Sequence, residues 1–183
     1  INERENRLTE ATASVIEHSP DFAVAFVRSL RIWDESLIDS IRSVRVATQR
    51  PVFGDDHRGF IDLEIAALTE DGSGTTRRMV AWIEVKHGSP LSGDQLETYQ
   101  QAAKKEPDEP TLLLLNSLYD DLSGDFNGFE RRYWETVASS LKELQPPKDL
   151  SATSWLWLQY LKFLREEDLV DDDVLSIESV YAM

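Results

Sequence analysis

Two apolar stretches of this chain carry charged residues in their interiors. They read Phe60-Ile-Asp-Leu-Glu-Ile65 and Ala81-Trp-Ile-Glu-Val-Lys86, and the segment Thr69-Glu-Asp-Gly-Ser-Gly-Thr75 lies between them. Gly, Asp and Ser in a short connection favour a hairpin. Phe60 to Leu68 and Arg77 to Lys86 are therefore predicted as adjacent antiparallel strands. Side chains alternate faces along a strand, so Asp62 and Glu64 point one way, while Ile61, Leu63 and Ile65 point the other. By the same rule Glu84 and Lys86 share a face opposite Ile83 and Val85. A charge inside an apolar strand is costly unless it is paired, solvated or bound to metal. Two carboxylates brought together in this way suit a hard divalent cation such as Mg²⁺ or Mn²⁺. A lysine beside them can orient or activate water, or offset charge that builds on a phosphate.

The rest of the chain supplies a frame for that hairpin. Asn2 to about His18 has Leu8, Ala11, Thr12, Val15 and Ile16 on one stripe at helical spacing. Ser19-Pro20-Asp21 breaks this helix and starts a second one through Leu30. Ser43 to Phe53 is β-like, and Gly54 to Gly59 is a turn cluster. A helix from about Gly93 to Lys105 follows the hairpin and ends at Pro107 and Pro110. Thr111 to Asn116 is apolar throughout, as a buried parallel strand is. Tyr119 to Asn127 is predicted as a polar loop, Gly128 to Leu144 as a helix, and Thr153 to Glu166 as a helix apolar almost all round. Such a helix is buried centrally or covered by a partner. The expected fold class is α/β: a mixed central sheet flanked by helices, with additional C-terminal helices.

Length and composition bound the function. The chain has 183 residues, enough for one domain with its own core. Residues 1–165 are read as that domain and 166–183 as an acidic tail or linker. There is no cysteine, which excludes disulfides, thiolate-bound zinc and thiol catalysis and fits a reducing, cytoplasmic setting. No apolar run is long enough to span a bilayer, and no basic and then apolar leader opens the chain, so no membrane association is expected. The chain begins at Ile1 rather than Met, as a piece of a longer protein would. The net charge of −15 opposes a nucleic-acid role, because phosphate binding relies on Lys and Arg. Seven acids and no bases lie between Glu166 and Met183, which leaves −8 for the remainder.

An acid on one strand, a loop, and Glu-x-Lys ending the next strand resemble the PD-(D/E)XK nuclease superfamily. Here they read Ile61-Asp62 and Glu84-Val85-Lys86, with Ile61 where a proline often stands. Gln95-Leu-Glu-Thr-Tyr99 on the next helix resembles the Gln-x-x-x-Tyr of RecB-like members. The resemblance covers about Glu5 to Asn116. It implies a restriction-endonuclease-like core and Mg²⁺- or Mn²⁺-dependent hydrolysis of DNA, with RNA the alternative substrate, in settings such as prokaryotic antiviral defence, restriction or DNA repair. It also implies Asp62 and Glu84 as metal ligands, Lys86 as a catalytic residue, and Gln95 and Tyr99 as substrate-contacting or site-organising residues. Many members place a glutamate of an N-terminal helix near the metal. Glu5 lies beside the Leu8, Thr12 and Ile16 stripe and Glu10 nearly opposite, so Glu5 is preferred.

Each assignment has a plainer alternative. Ser92-Gly-Asp-Gln95 is a capping box that would occupy Gln95. Tyr99 shares a stripe with Leu96 and Ala103 and could pack in a core. Glu5 could lie exposed on a fraying first turn, and Glu64 could be a second ligand or solvated. His18, His57 and His87 lack the spacing of a metal site. Arg77, Arg78, Lys104 and Lys105 could contact phosphate or be scattered surface charge. The 153–166 helix could serve a homo-oligomer or a partner domain. A nuclease-like fold that only binds other proteins is the competing reading of the whole chain.

Overall fold

A computed structural model of the chain describes residues 3–55, 57–118, 126, 128–144 and 152–170. Strands β1 (Ile41–Phe53), β2 (Arg58–Glu70) and β3 (Thr76–Val85) form an antiparallel meander. Strands β4 (Thr111–Asn116) and β5 (Glu130–Tyr133) extend the sheet in parallel, giving a five-stranded mixed sheet in the order β1-β2-β3-β4-β5. The helices are α1 (Glu3–His18), α2 (Pro20–Leu30), α3 (Glu35–Asp39), α4 (Gly93–Ala103), α5 (Trp134–Glu143) and α6 (Ala152–Glu166). The architecture is α/β, as expected.

The two faces of the sheet bury different sets. On one, Leu8 and Ile16 of α1, Phe22 and Phe26 of α2, Trp134 of α5 and Trp157 of α6 enclose Leu63, Ile65, Ile83, Leu113 and Leu115. On the other, α4 sets Tyr99, Ala102 and Ala103 over Val80, Trp82 and Leu112. Strand β4 is covered on both sides, which is why it reads as an uninterrupted apolar run. Ser19 caps α2 by accepting from the Phe22 amide, and Pro20 fits its first turn. Arg31 closes that helix in the left-handed conformation, φ 50°.

Several expectations change. The segment read as the start of a helix at Gly128 is strand β5, paired with β4 from Leu113–Glu130 to Asn116–Tyr133, and α5 begins only at Trp134. The Arg132 guanidinium, bonded to the carbonyls of Leu30 and Arg31, fastens this strand to the end of α2, so tertiary pairing outweighs local preference. Helix α3 was not anticipated. Five residues hold too little periodicity to read, and Arg28 secures it through Glu35 and Asp39.

The acidic segment expected from residue 166 begins inside the fold. Leu169 and Val170 belong to the larger core, and Glu167 pairs with Arg7 at 3.1 Å. Asp171-Asp172-Asp173 and most of the predicted Tyr119 to Asn127 loop lie outside the described residues. In α6, Trp157, Tyr160, Leu161 and Leu164 are buried within this chain, the Phe22 ring standing 5.3 Å from Trp157 and 5.1 Å from Tyr160. Trp155 on its other side is exposed. Among the described residues no helix is long and apolar enough to cross a membrane.

Candidate functional site

Strands β2 and β3 pair from the hairpin turn as far as Leu63–Ile83 and then part. Strand β3 continues along β4 to Val85–Leu115, and the Lys86 amide still donates to the Leu115 carbonyl at 2.9 Å. On the β2 side the Asp62 carboxylate takes over, accepting the Val85 amide at 2.9 Å. The parting strands open a cleft of about 410 Å³ beneath the N-terminal turn of α4, and Asp62, Glu84, Lys86, Gln95, Tyr99 and Glu5 all line it. Residues distant in sequence thus meet where a ladder ends and backbone groups need side-chain partners.

Glu84 is the centre of the cluster and only 2% exposed. Its Oε1 accepts from Lys86 Nζ at 2.7 Å and from Gln95 Nε2 at 2.7 Å. Its Oε2 is buried without a hydrogen-bond partner. Burial, then the negative charge of Asp62, pushes the Glu84 carboxyl up to about 8, against the opposing pull of Lys86. Burial also raises Asp62, although the Val85 amide, Lys86 and Gln49 all favour its charged form. For Lys86, burial alone would lower the pKa. The charge and hydrogen bond of Glu84, joined by Glu5 and Asp62, reverse the sign and raise it.

Glu5 is buried in the cleft rather than exposed on a frayed turn. Its Oε1 accepts from the His87 amide at 2.9 Å and the Ser89 hydroxyl at 2.5 Å, and its Oε2 stands 3.9 Å from Lys86 Nζ. Gln95 does not close a capping box. Ser92 makes no side-chain cap, and Gln95 Nε2 reaches Glu84 and, at 2.6 Å, the Tyr99 hydroxyl. Tyr99 is both core and site. Its ring packs with Trp82, and its hydroxyl donates to the Phe60 carbonyl at 2.6 Å. Burial and the nearby Glu84 charge raise its pKa.

The other residues named from sequence fall elsewhere. Glu64 is neither solvated nor in the cleft. It accepts from the Trp82 indole at 2.8 Å and from Arg50, whose guanidinium also reaches Glu106. Arg78 pairs with Asp108 and Lys105 with Asp55, and none of Arg77, Arg78, Lys104 and Lys105 lines the cleft. The lining cations are Lys86 and Arg58.

Gln49 is a residue that sequence reasoning missed. It adopts φ 51° within β1, between the pairs Thr48–Leu63 and Arg50–Ile61, and donates to Asp62 Oδ1 at 3.0 Å. A left-handed non-glycine residue in a strand is strained, and here it aims an amide at a site carboxylate. It also marks where inward residues of β2 change sides. Leu63 and Ile65 face the larger core, whereas Ile61 joins the α4 cluster, contrary to the simple alternation expected. Nothing in a lone Gln between Thr48 and Arg50 signals this.

Among the described residues no three His, Asp or Glu side chains are grouped to hold a metal ion. The donor pair Asp62 and Glu84 nonetheless fits a hard cation. The Glu84 Oε2 atom lacks a partner, and Mg²⁺ takes one or two carboxylates and completes its shell with water. Comparison with protein-family models, curated proteins and solved structures finds no match.

Proposed function

We propose that this chain is a divalent-metal-dependent nuclease of the PD-(D/E)XK superfamily that hydrolyses DNA phosphodiester bonds in the cleft between β2, β3 and α4. The observation that carries the reading is the convergence of Asp62, Glu84 and Lys86 where β3 leaves β2. An N-terminal helix, an antiparallel meander, a helix and a parallel strand, in that order, support a restriction-endonuclease-like core.

Asp62 and Glu84 are the residues that would hold Mg²⁺ or Mn²⁺, with Glu5 nearby. Such an ion, when bound, supplies Lewis acidity that acidifies water and offsets phosphate charge. Against the opposing effect of burial, the charge and hydrogen bond of Glu84 raise the Lys86 pKa. Lys86 would position or deprotonate the attacking water, or offset charge that builds on phosphate. Gln95 holds Glu84 in place, and Tyr99 ties Gln95 to the β2 backbone. Buried lysines and carboxylates held by such partners keep the geometry that a reacting phosphate needs.

The test is degradation of single-stranded, duplex and circular DNA with Mg²⁺ or Mn²⁺, wild type beside Lys86→Ala. Cleavage lost both with EDTA and in the variant is the expected result, with a rate drop of at least about 100-fold. Cleavage that survives Lys86→Ala would place the activity elsewhere. The net charge of −15 favours a second reading, a nuclease-like fold used as a protein-binding module. Absence of both cleavage and Mn²⁺ binding, the latter measured against Asp62→Ala, would select that reading.

A further inference from the structure

We propose that the outer end of the β1–β2 hairpin is a stacking platform for the unpaired bases of single-stranded DNA and leads that strand into the cleft. The proposal deepens the nuclease reading and rests on it. At this end of the hairpin the two faces differ. Val52 and Ile61 are buried in the α4 cluster. On the other face, Phe53 is 61% exposed and Phe60 is 44% exposed. The ladder pairs Phe53 with Arg58 and Pro51 with Phe60, so these four residues form one surface. The Arg58 guanidinium lies 4.6 Å from the Phe60 ring centre and 5.6 Å from that of Phe53.

Arg28, Arg50, Arg78 and Arg132 each engage a carboxylate, whereas no ion pair among the described residues involves Arg58. Its charge is held over aromatic faces and remains available to a ligand. Two exposed phenylalanines flanking a free guanidinium are an apolar patch of the kind that marks a binding site. The patch is also continuous with the site. Phe60, Arg58 and Asp62 line the same cleft, and Phe60 precedes Asp62 by two residues, about 7 Å along a strand. Tyr99, bonded to the Phe60 carbonyl, fixes the platform relative to Glu84.

The net charge explains why the occupant is single-stranded. A chain at −15 gains little from counterion release and repels the paired backbones of a duplex. Stacking does not depend on net charge, and it requires bases whose faces are free, which a duplex keeps within its own stack. The platform is thus a means for an acidic nuclease to hold a polyanion.

The test is fluorescence anisotropy of labelled oligothymidylate with the wild-type protein in EDTA, where no metal-dependent cleavage occurs. A blunt duplex, an abasic strand of equal length and oligouridylate form the other arms. Wild type is expected to bind oligothymidylate at least about tenfold tighter than the duplex or the abasic strand, one stacked base being equivalent to roughly that factor or more. Phe53→Ala with Phe60→Ala removes that preference, and Arg58→Ala lowers the slope of log Kd against log salt by about 0.7. Because the unsubstituted protein reads base dependence through the abasic strand, the test does not rely on the variants folding. Equal affinity for the abasic strand, no binding, or tighter binding of oligouridylate overturns the proposal. Cleavage with no base-dependent binding sinks the platform and leaves the nuclease. Base-dependent binding without metal-dependent cleavage does the reverse.

Discussion

The two faces of the sheet divide the labour of this protein. The face under α1, α2, α5 and α6 is apolar and closed, with rings and aliphatic side chains interlocked around Phe22. The face under α4 has a smaller apolar cluster, and beside it lie a cleft, a buried Glu84–Lys86 pair and the raised carboxyls of Glu84 and Asp62. Burying a charge next to an open cleft costs stability, and only a large core elsewhere can tolerate that cost. The contrast teaches that the larger core opposite is what lets the smaller α4 cluster sit beside buried charges and an open cleft.

The contrast can be broken most sharply at Phe22. Phe22→Ala should cost about 3–5 kcal/mol in urea unfolding, because the ring is fully buried against Trp157 and Tyr160. A loss below about 1 kcal/mol would mean that the larger cluster is not the principal support.

Gly59→Ala probes the other face. A Cβ there would stand 2.6 Å from Tyr99 Cε1, and Tyr99 is buried and bonded at its hydroxyl, so it cannot swing aside. The expected cost is about 1–3 kcal/mol, and under the proposed nuclease function cleavage falls further than stability because Tyr99 holds Gln95. Unchanged stability and activity would show that the hairpin does not press on α4.

A smaller effect lies in the pH dependence of the metal-free protein. The folded Glu84 carboxyl titrates near 8 against an ordinary 4.5, so the folded state retains a proton that the unfolded chain releases. Its contribution is complete below 4.5 and is lost as pH rises through about 8. Asp62 shifts in the same direction. Lys86, raised above 10.5, contributes a term lost only at higher pH, outside this window. In EDTA the melting temperature should therefore fall from pH 5 to 8.5, and Glu84→Gln should flatten that slope. Parallel slopes for the two proteins would rule out the raised carboxyl.

The smallest effect is expected at Trp155, which is 58% exposed on the helix that faces the larger core. Trp155→Ser should change stability by less than about 0.5 kcal/mol in the isolated chain. A loss of several kcal/mol would mean that this side of α6 is covered after all.

Much of the fold is legible in the sequence. The alternation in Phe60 to Ile65 and Ala81 to Lys86 showed two strands, because a period of two is a local property of the pleat. The α1 stripe favours Glu5 over Glu10, and the structure buries Glu5 beside Lys86. Strand β5 and helix α3 were not legible, since each is secured by an arginine that reaches between elements, Arg132 of β5 to the end of α2 and Arg28 of α2 to Glu35 and Asp39. The first residues of the acidic segment carry a related lesson. Composition does not show that Leu169 and Val170 turn back into the core.

The amino-acid order by itself determined the meander, the buried parallel strand and the alignment of Asp62, Glu84 and Lys86, since each follows from hydrophobic period and turn chemistry within a few residues. Tertiary structure alone decided where β3 leaves β2, that Gln49 adopts a left-handed conformation to reach Asp62, and that Gln95 serves Glu84 instead of capping α4. It also decided that Phe53, Arg58 and Phe60 form an exposed surface running into the cleft. These outcomes depend on which groups are left without partners once the sheet is assembled, and that is a property of the packed whole.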